Sequence, residues 1–295
     1  MLRIRHGVAT AAISCAALSN PEAHAFPPAV QIVPPQPLVS MLPTAVSIGA
    51  TTTTRAGTPA LVGQNLVFTA ANGLPSTFYD LLSGLGGPPT STPPTLLNLQ
   101  VVTYGLNGVE AARAQYSGLT AAELDIPALD TSVPGPGQMS ATLGFQGSSM
   151  LPAGGTTYAP TPAPAHRWLP SAFALRIDGT VLQGTKRIEP IALKAPPQPG
   201  TQAYGPDVVF TVPFGSSQSL TSWYQDYVTR GAVATARHSI SIDLLGDDGS
   251  VMFRLACGRA LLYKLTNTKV AGAPYWQASA ATEACQFTYT GAATQ

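Results

Sequence analysis

The stretch 219–291 constrains the fold more than any other part of the chain, because a helical stripe and several strictly alternating segments follow one another in it. It opens with SLTSWYQDYVTR, in which apolar side chains recur at the spacing of one helix face. These positions are Leu220, Trp223, Tyr224, Tyr227 and Val228. The pattern predicts a short helix that packs on a core through this face.

Alternation of apolar and polar residues dominates the rest of this stretch, and a period of two is typical of a half-buried strand. GDDG at 246–249 separates the first two alternating segments and is typical of a hairpin turn. The apolar positions are Ile240, Ile242 and Leu244, then Val251, Phe253 and Leu255, and finally Cys285, Phe287 and Tyr289. The sequence therefore predicts a β-rich unit with one helix.

An earlier part of the chain repeats this order of features. NLQVVTYGLNGVEAAR at 98–113 aligns without a gap with SISIDLLGDDGSVMFR at 239–254. FYDLLSG at 78–84 stands in the place of the helix, and LVFT at 66–69 aligns with VVFT at 208–211. The downstream matches are Leu143, Phe145 and Gly147 with Phe287, Tyr289 and Gly291. Because the offset stays within a few residues of 142, the sequence predicts an internal duplication.

The second copy resembles the tube proteins of long-tailed phages, whose fold is shared with the inner tubes of contractile injection machines. The matching residues are Trp223 and Tyr224 in the helix, Asp248 and Gly249 in the turn, and Glu283 before the final alternating strand. The resemblance covers 169–292 and reaches 37–150 only through the repeat. It implies a mainly β (α+β) chain with two tandem tail-tube-like β-barrel or sandwich domains, each with one short helix.

The resemblance also implies a structural role. Six such domains make a ring in the family, so three duplicated chains would close a pseudo-sixfold ring, and stacked rings would form a tube or conduit. The implied partners are other copies of the chain and other tube, cap or baseplate-like proteins.

The chain length suits two domains of about 120 residues, each large enough to bury a core. Of the 295 residues, 45% are hydrophobic and only 10% are charged, with a formal net charge of +1. Neither half has clustered positive charge, so the composition excludes electrostatic readout of nucleic acid. The predicted organisation is a signal peptide at 1–25, an extended arm at 26–36, domain one at 37–150, a Pro-rich linker at 151–167 and domain two at 168–295.

The N-terminus predicts export. It carries two arginines, an apolar run from Gly7 to Leu18, and the sequence Ala-His-Ala ending at Ala25, which are the parts of a secretory signal peptide with its cleavage site. The apolar run is too short for a permanent membrane span, which needs about 20 residues. Cleavage near Ala25 would place the mature chain in the periplasm, outside the cell or on its surface. This departs from the tube family, whose members assemble in the cytoplasm.

Two cysteines remain after the predicted cleavage, Cys257 and Cys285, on neighbouring predicted strands. In an oxidising compartment an even pair favours a disulfide. The alternative is two buried free thiols that behave as small apolar side chains.

The other candidate chemistry is weak. His166 and His238 have no zinc-site spacing, and GSSQS at 215–219 is not a nucleophile elbow. The sequence therefore predicts no catalytic residue, metal or cofactor, and a protein that is not an enzyme. Two surface segments are interpreted as solvated loops: the acidic group Glu123, Asp125 and Asp130, and the threonine run at 51–54.

Tyr275 and Trp276 follow Gly-Ala-Pro and are interpreted as loop aromatics. They could contact another subunit or a ligand, or anchor the loop on its own domain. Ligand contact supports an alternative function, a secreted module of two β-sandwiches that binds a glycan or another surface ligand.

Overall fold

A computed structural model describes the backbone of a large part of the chain. The described residues are 30–32, 39–41, 45–55, 58–70, 82–83, 85, 97–104, 109–155, 167–195, 204–216, 218–233 and 236–290. The predicted signal peptide and most of the predicted linker lie outside these ranges, so both stay predictions. The described chain is mainly β, which confirms the predicted fold class.

The described residues of the first half form nine strands. They are β1 (Val30–Ile32), β2 (Val39–Met41), β3 (Ala45–Arg55), β4 (Thr58–Ala70), β5 (Leu97–Tyr104), β6 (Glu110–Ile126), β7 (Leu129–Asp130), β8 (Met139–Phe145) and β9 (Gly147–Leu151). β1 lies in the predicted N-terminal arm, whose extended, proline-interrupted sequence also suits a first strand. β3 contains the threonine run at 51–54, so the loop interpretation of that run is wrong.

In the second half, the part that the structure describes forms eight strands and a short helical segment. The strands are β10 (Trp168–Ile177), β11 (Thr180–Val181), β12 (Arg187–Ile188), β13 (Ile191–Lys194), β14 (Tyr204–Pro213), β15 (His238–Gly246), β16 (Val251–Val270) and β17 (Ala273–Tyr289). The helical segment begins with a 3-10 turn (Phe214–Ser216), continues as α1 (Gln218–Tyr224) and ends as a π-helical turn (Gln225–Thr229).

The two halves have the same strand order. The first sheet runs β2-β1-β5-β6-β8-β4-β3, and the second runs β11-β10-β15-β16-β17-β14-β12. β9 pairs with β6 beyond the end of β8, as the last part of β17 pairs with β16. An internal duplication predicts this repeat of seven strands. Both sheets end on edge strands in the described residues, so closure into barrels stays a prediction.

The register of the strand pairs repeats as well. In β5–β6 Val102 pairs with Arg113, and in β15–β16 Asp243 pairs with Arg254. Every described pair of the second hairpin lies 141 positions after a pair of the first, and the two irregular points of each ladder recur at matching places. This agrees with the gap-free sequence match of 98–113 with 239–254.

One part of the predicted alignment is wrong. The ladder places Leu143 at the position of Ala280, because Ala121 pairs with Leu143 where Leu262 pairs with Ala280. Phe287 corresponds instead to Met150. The offset falls from 141 to 137 here because the segment between the paired strands is four residues longer in the first half. Alternating strands resemble one another at several shifts, so apolar pattern alone does not define the register.

The predicted helix is present but changes its geometry halfway. Leu220 and Trp223 are buried, and Tyr224 and Tyr227 pack against the core as the stripe predicts. Val228 is 47% exposed, contrary to the prediction. The π-helical turn explains the difference, because its wider turn rotates later side chains away from the face that a regular helix would keep. Of the match at 78–84, only residues 82 and 83 are described, and they are helical.

A membrane-spanning helix is not found in the described part of the chain, where no helix is both long and apolar enough.

Candidate functional site

Each half of the chain contributes a strand that pairs with a strand of the other half. β13 of the second half pairs with the end of β6, where Leu193 meets Leu124 and Ile191 meets Ile126. β7 of the first half pairs with β12. Each half thus adds a strand to the other, and we call this region, residues 122–130 with 187–195, the junction.

The junction has an apolar core. Its side chains are all at most 2% exposed: Leu124, Ile126, Leu129, Ile188, Ile191 and Leu193. Burial of one such side chain contributes roughly 1.5–3 kcal/mol, so the six together contribute on the order of 10 kcal/mol as an upper estimate. The halves are therefore joined by core packing and not only by a linker.

Charged side chains lie at the rim of this core. Glu123 is 3.4 Å from Lys194 and Asp130 is 3.5 Å from Arg187, and each pair joins the two halves. The pKa of Asp125 is raised, first by burial and then by the charge of Glu123. The acidic group therefore belongs to the junction, and the prediction of a solvated loop is wrong. Exposed pairs of this kind contribute little stability, so the apolar core dominates the contact.

Two counterparts of the junction strands have a side that no strand covers among the described residues. β3 holds the place of β12 and is the last strand of the first sheet in this part of the chain, whereas the outer side of β12 carries β7. On β16, the stretch 263–267 corresponds to the part of β6 that pairs with β13. β15 pairs with β16 only as far as Ala260, and within the described residues no strand pairs with the side of 263–267 opposite β17. We call this side of 263–267 the β16 edge.

The Trp-Tyr pair of the family pattern lies in α1, where the structure places Trp223 in the core. Trp223 is 3% exposed, and its indole Nε1 donates a hydrogen bond of 2.7 Å to the carbonyl of Ala236. Its ring also meets that of His238 edge-on, at 4.9 Å between centroids. Trp223 therefore fastens the helical segment to the chain that leads into β15.

Replacing Trp223 with phenylalanine is expected to lower the free energy of unfolding by about 2–3 kcal/mol, because the smaller ring leaves a void and the Ala236 carbonyl loses its donor. Tyr224→Phe on the same helix is the matched control, with an expected change within about 0.5 kcal/mol. Chemical denaturation followed by circular dichroism measures both. Equal stability of Trp223→Phe and the natural chain would contradict the assigned role.

Asp248 and Gly249 form the predicted hairpin turn. The Asp248 carboxylate accepts hydrogen bonds from the Ser250 amide at 2.9 Å and hydroxyl at 2.7 Å. Gly249 has φ +79°, a conformation that glycine adopts without strain. This turn stabilises the β15–β16 hairpin.

Glu283 lies inside β17 and not before the final strand, because β17 already begins at Ala273. Its carboxylate is 3.1 Å from the Arg237 guanidinium and 3.4 Å from that of Arg259. The ladder is irregular here, and Arg259 and Ala284 both have positive φ. Glu283 therefore neutralises two arginines at a bulge in the sheet.

Cys257 and Cys285 are joined by a disulfide across β16 and β17. Both are buried, at 2% and 0% exposure. Tyr116 and Ser148 pair at the matching place in the first half. The disulfide therefore belongs to one copy of the repeated ladder.

A buried ion cluster centres on Asp243, and the sequence pattern missed it. Its side chain is 1% exposed and contacts the guanidinium groups of Arg176 on β10, at 3.0 Å, and of Arg254 on β16. Burial opposes its ionisation, but hydrogen bonds and charge from the two arginines outweigh this and lower the pKa of Asp243. The available signal is the cross-strand pairing of Asp243 with Arg254, which requires the hairpin register.

In the first half, the arginine that corresponds to Arg254 bonds an acidic side chain at a different position. Arg113 holds the position of Arg254, but its guanidinium bonds the carboxylate of Glu110 on its own strand at 2.8 and 2.9 Å. The sequence has Val102 at the position of Asp243 and Val251 at that of Glu110. The arginine is thus kept in both halves while its acidic partner changes strand.

Tyr275 and Trp276 lie on β17, so the prediction that they belong to a loop is wrong. Both are partly buried. The Trp276 ring stacks on Phe214, which is 38% exposed, with 4.7 Å between centroids. Trp276 therefore packs within its own half and forms part of a surface aromatic pair.

A cleft of 490 Å³ lies between the β10–β11 turn, α1 and the start of β15. Leu220 and Trp223 form part of its wall, and the side chains of Asp178 and His238 are hydrogen-bonded at its rim. Among the described residues no group of three or more His, Cys, Asp or Glu side chains is arranged to hold a metal ion.

Comparison with known proteins finds no family model that matches the chain and no matching curated protein. The resemblance to tail tubes therefore stays a prediction.

Proposed function

We propose that the chain is a structural protein that assembles with copies of itself into rings, and that these rings stack into a tube or conduit. The observation that carries the proposal is the junction, in which two copies of one strand order are joined by pairing of β12 with β7 and of β13 with the end of β6. Within the described residues no strand pairs with the outer side of β3 or with the β16 edge, and the proposal assigns both a strand contact with a second chain.

Border strands are the physical reason to expect assembly. An unpaired strand edge presents a row of backbone donors and acceptors that another strand can satisfy. A contact between two different surfaces of identical chains is head-to-tail, so it generates a closed ring or an open filament. The resemblance to tail tubes favours a ring of three chains with six similar units. Other tube, cap or baseplate-like proteins are possible partners at its ends.

The proposed tube is exported. The signal-peptide pattern at the N-terminus supports export, and a disulfide between Cys257 and Cys285 fits an oxidising compartment. The proposal assigns the chain no reaction, cofactor or nucleic-acid readout.

Negative-stain electron microscopy of the purified chain tests this function, with rings or stacked rings as the expected particles. Arg187→Ala, at the rim of the junction, is a control for general surface effects and is expected to leave the particles unchanged. A field of monomers at high protein concentration would overturn the proposal.

Binding of a glycan or another surface ligand is the second candidate, and the stacking of the exposed Phe214 on the partly buried Trp276 favours it. Aromatic faces of this kind often anchor ligands and partners. If this candidate is right, the monomer binds a glycan array and Trp276→Ala abolishes the binding.

A further inference from the structure

We infer that Arg176 and Arg254 bind the carboxylate of an acidic polysaccharide, on the face of the second sheet that turns away from the core. Both arginines share the buried carboxylate of Asp243, so the three side chains together carry an excess of one positive charge. The inference goes beyond the proposed function, because it requires neither the junction nor the Phe214–Trp276 pair.

The two arginines are neighbours on one face of the sheet. Residues paired across a sheet share a face, as do alternate residues of one strand. The core face here carries Ile242, Leu255 and Phe287, each at most 1% exposed. The opposite face, which we call the outer face, carries two rows of paired residues. One row is Ala174, Asp243, Arg254 and Thr288, and the other is Arg176, Ser241, Ala256 and Gln286.

Asp243 holds both guanidinium groups in place. The Nε of Arg176 lies 3.0 Å from one oxygen of Asp243, and the Nε of Arg254 bonds the other oxygen. The side chain of Asp243 is 1% exposed, whereas those of Arg176 and Arg254 are 35% and 43% exposed. Among the described residues Arg176 uses two of its five N–H donors and Arg254 uses one. The other donors can therefore bond a ligand from an already fixed position.

The excess positive charge has no second carboxylate in the two rows of the outer face. Apart from the three charged residues, these rows contain only alanine, serine, threonine and glutamine. Asp178, two residues after Arg176, bonds His238 and Ser239 instead. One further negative charge would therefore balance the cluster.

The first half has a different arrangement at the matching place. Gln31 holds the position of Arg176, because it pairs with Gln100 as Arg176 pairs with Ser241. Arg113, the counterpart of Arg254, is bonded by Glu110 through two nitrogens. One arginine is thus paired with one carboxylate there, whereas two arginines share one carboxylate in the second half. The repeated strand order does not require the second arginine, which favours a role in binding.

The charge of the site favours a carboxylate as the ligand group. The planar fork of arginine matches a carboxylate with two parallel hydrogen bonds. An excess of one positive charge suits a singly charged group better than a phosphate monoester, which carries about −1.5 to −2 at pH 7.

The surroundings of the arginines favour a sugar polymer as the carrier of this carboxylate. Ser241, Gln286 and Thr288 lie in the same two rows and offer hydroxyl and amide groups that can bond sugar hydroxyls. The outer face spans four neighbouring strands, roughly 14 Å from the first to the last. An extended oligosaccharide can therefore lie across it with one carboxylate on the two arginines.

Isothermal titration calorimetry of the full chain with oligomers of galacturonic acid tests the site. The matched ligand is the same oligomer with methyl-esterified carboxylates, which keeps the sugar and removes the charge. The acid form is expected to bind, more weakly as the salt concentration rises because salt screens exposed charges, and the ester is expected not to bind. No binding of the acid form, or equal binding of both forms, would overturn the inference.

Arg176→Gln gives the second half the glutamine of the first half and leaves Arg254 paired with Asp243. This variant is expected to bind the acid oligomer at least about tenfold more weakly, the equivalent of one charge-assisted hydrogen bond. Arg230→Gln, at an exposed arginine of the same half, is the matched control and is expected to bind as the natural chain does. Circular dichroism checks that both variants are folded. An unchanged affinity of Arg176→Gln would refute the assigned site.

Two further polymers test the ligand class. Dextran sulfate carries sulfate esters on a sugar chain, and poly-glutamate carries carboxylates on a peptide. Tighter binding of either polymer per charged group than of the galacturonic acid oligomer would overturn the assignment to an acidic polysaccharide. A chain that stays monomeric and binds the oligomer would overturn the proposed function and leave this inference standing.

Discussion

Replacing Asp243 with alanine is expected to lower the free energy of unfolding by about 2–4 kcal/mol, because two charge-assisted hydrogen bonds are lost while both guanidinium groups stay partly in contact with water. The carboxylate is 1% exposed and is the shared partner of Arg176 and Arg254. Its removal leaves two cationic side chains close together without the negative charge between them. Denaturant unfolding of the purified variant measures the loss.

Two further variants test whether the loss comes from the charge of Asp243 and from its burial. Asp243→Asn keeps the size of the side chain but removes its charge, and is expected to lose most of the same stability. Asp226→Ala breaks the exposed pair of Asp226 with Arg230, where the expected loss is below about 1 kcal/mol. Similar losses for Asp243→Ala and Asp226→Ala would contradict the account of a buried cluster.

The same cluster predicts a loss of stability in acid. The pKa of Asp243 is lower in the folded chain than its ordinary value, which is about 3.9 in an unfolded chain. Its stabilisation is therefore fully present above that value and is lost as the pH falls through the lower folded pKa. The stability difference between the natural chain and Asp243→Asn is expected to shrink below about pH 4.

Removing the disulfide is expected to lower the free energy of unfolding by roughly 3–4 kcal/mol, from the loop entropy of a bridge that spans 28 residues. The variant is Cys257→Ala with Cys285→Ala. Reductant is expected to destabilise the natural chain by a similar amount and to leave the double variant unchanged. A natural chain with no response to reductant after unfolding and refolding in its presence would contradict this role.

The sequence predicted the local elements of the second half well. Alternation at 239–255 and the GDDG turn predict the β15–β16 hairpin, and the structure confirms it. These features depend on side chains close together in sequence. The buried position of Asp243 was missed because alternation assigns a polar residue to the solvent face, whereas here β10 covers that face with Arg176.

The junction was not predictable from local pattern. β13 pairs with a strand of the other half that lies more than sixty residues earlier, and the apolar side chains of both strands look like ordinary core. The acidic residues at its rim therefore looked like a solvated loop. The strand position of Tyr275 and Trp276 was missed because Gly-Ala-Pro at 272–274 suggests a loop. These three residues lie instead where β16 turns into β17 in one long hairpin.

Native mass spectrometry of the purified chain, measured over a wide range of concentration, tests most directly whether the chain assembles with copies of itself. The account predicts a species of three chains and multiples of it. The mass of a single chain at every concentration would contradict it.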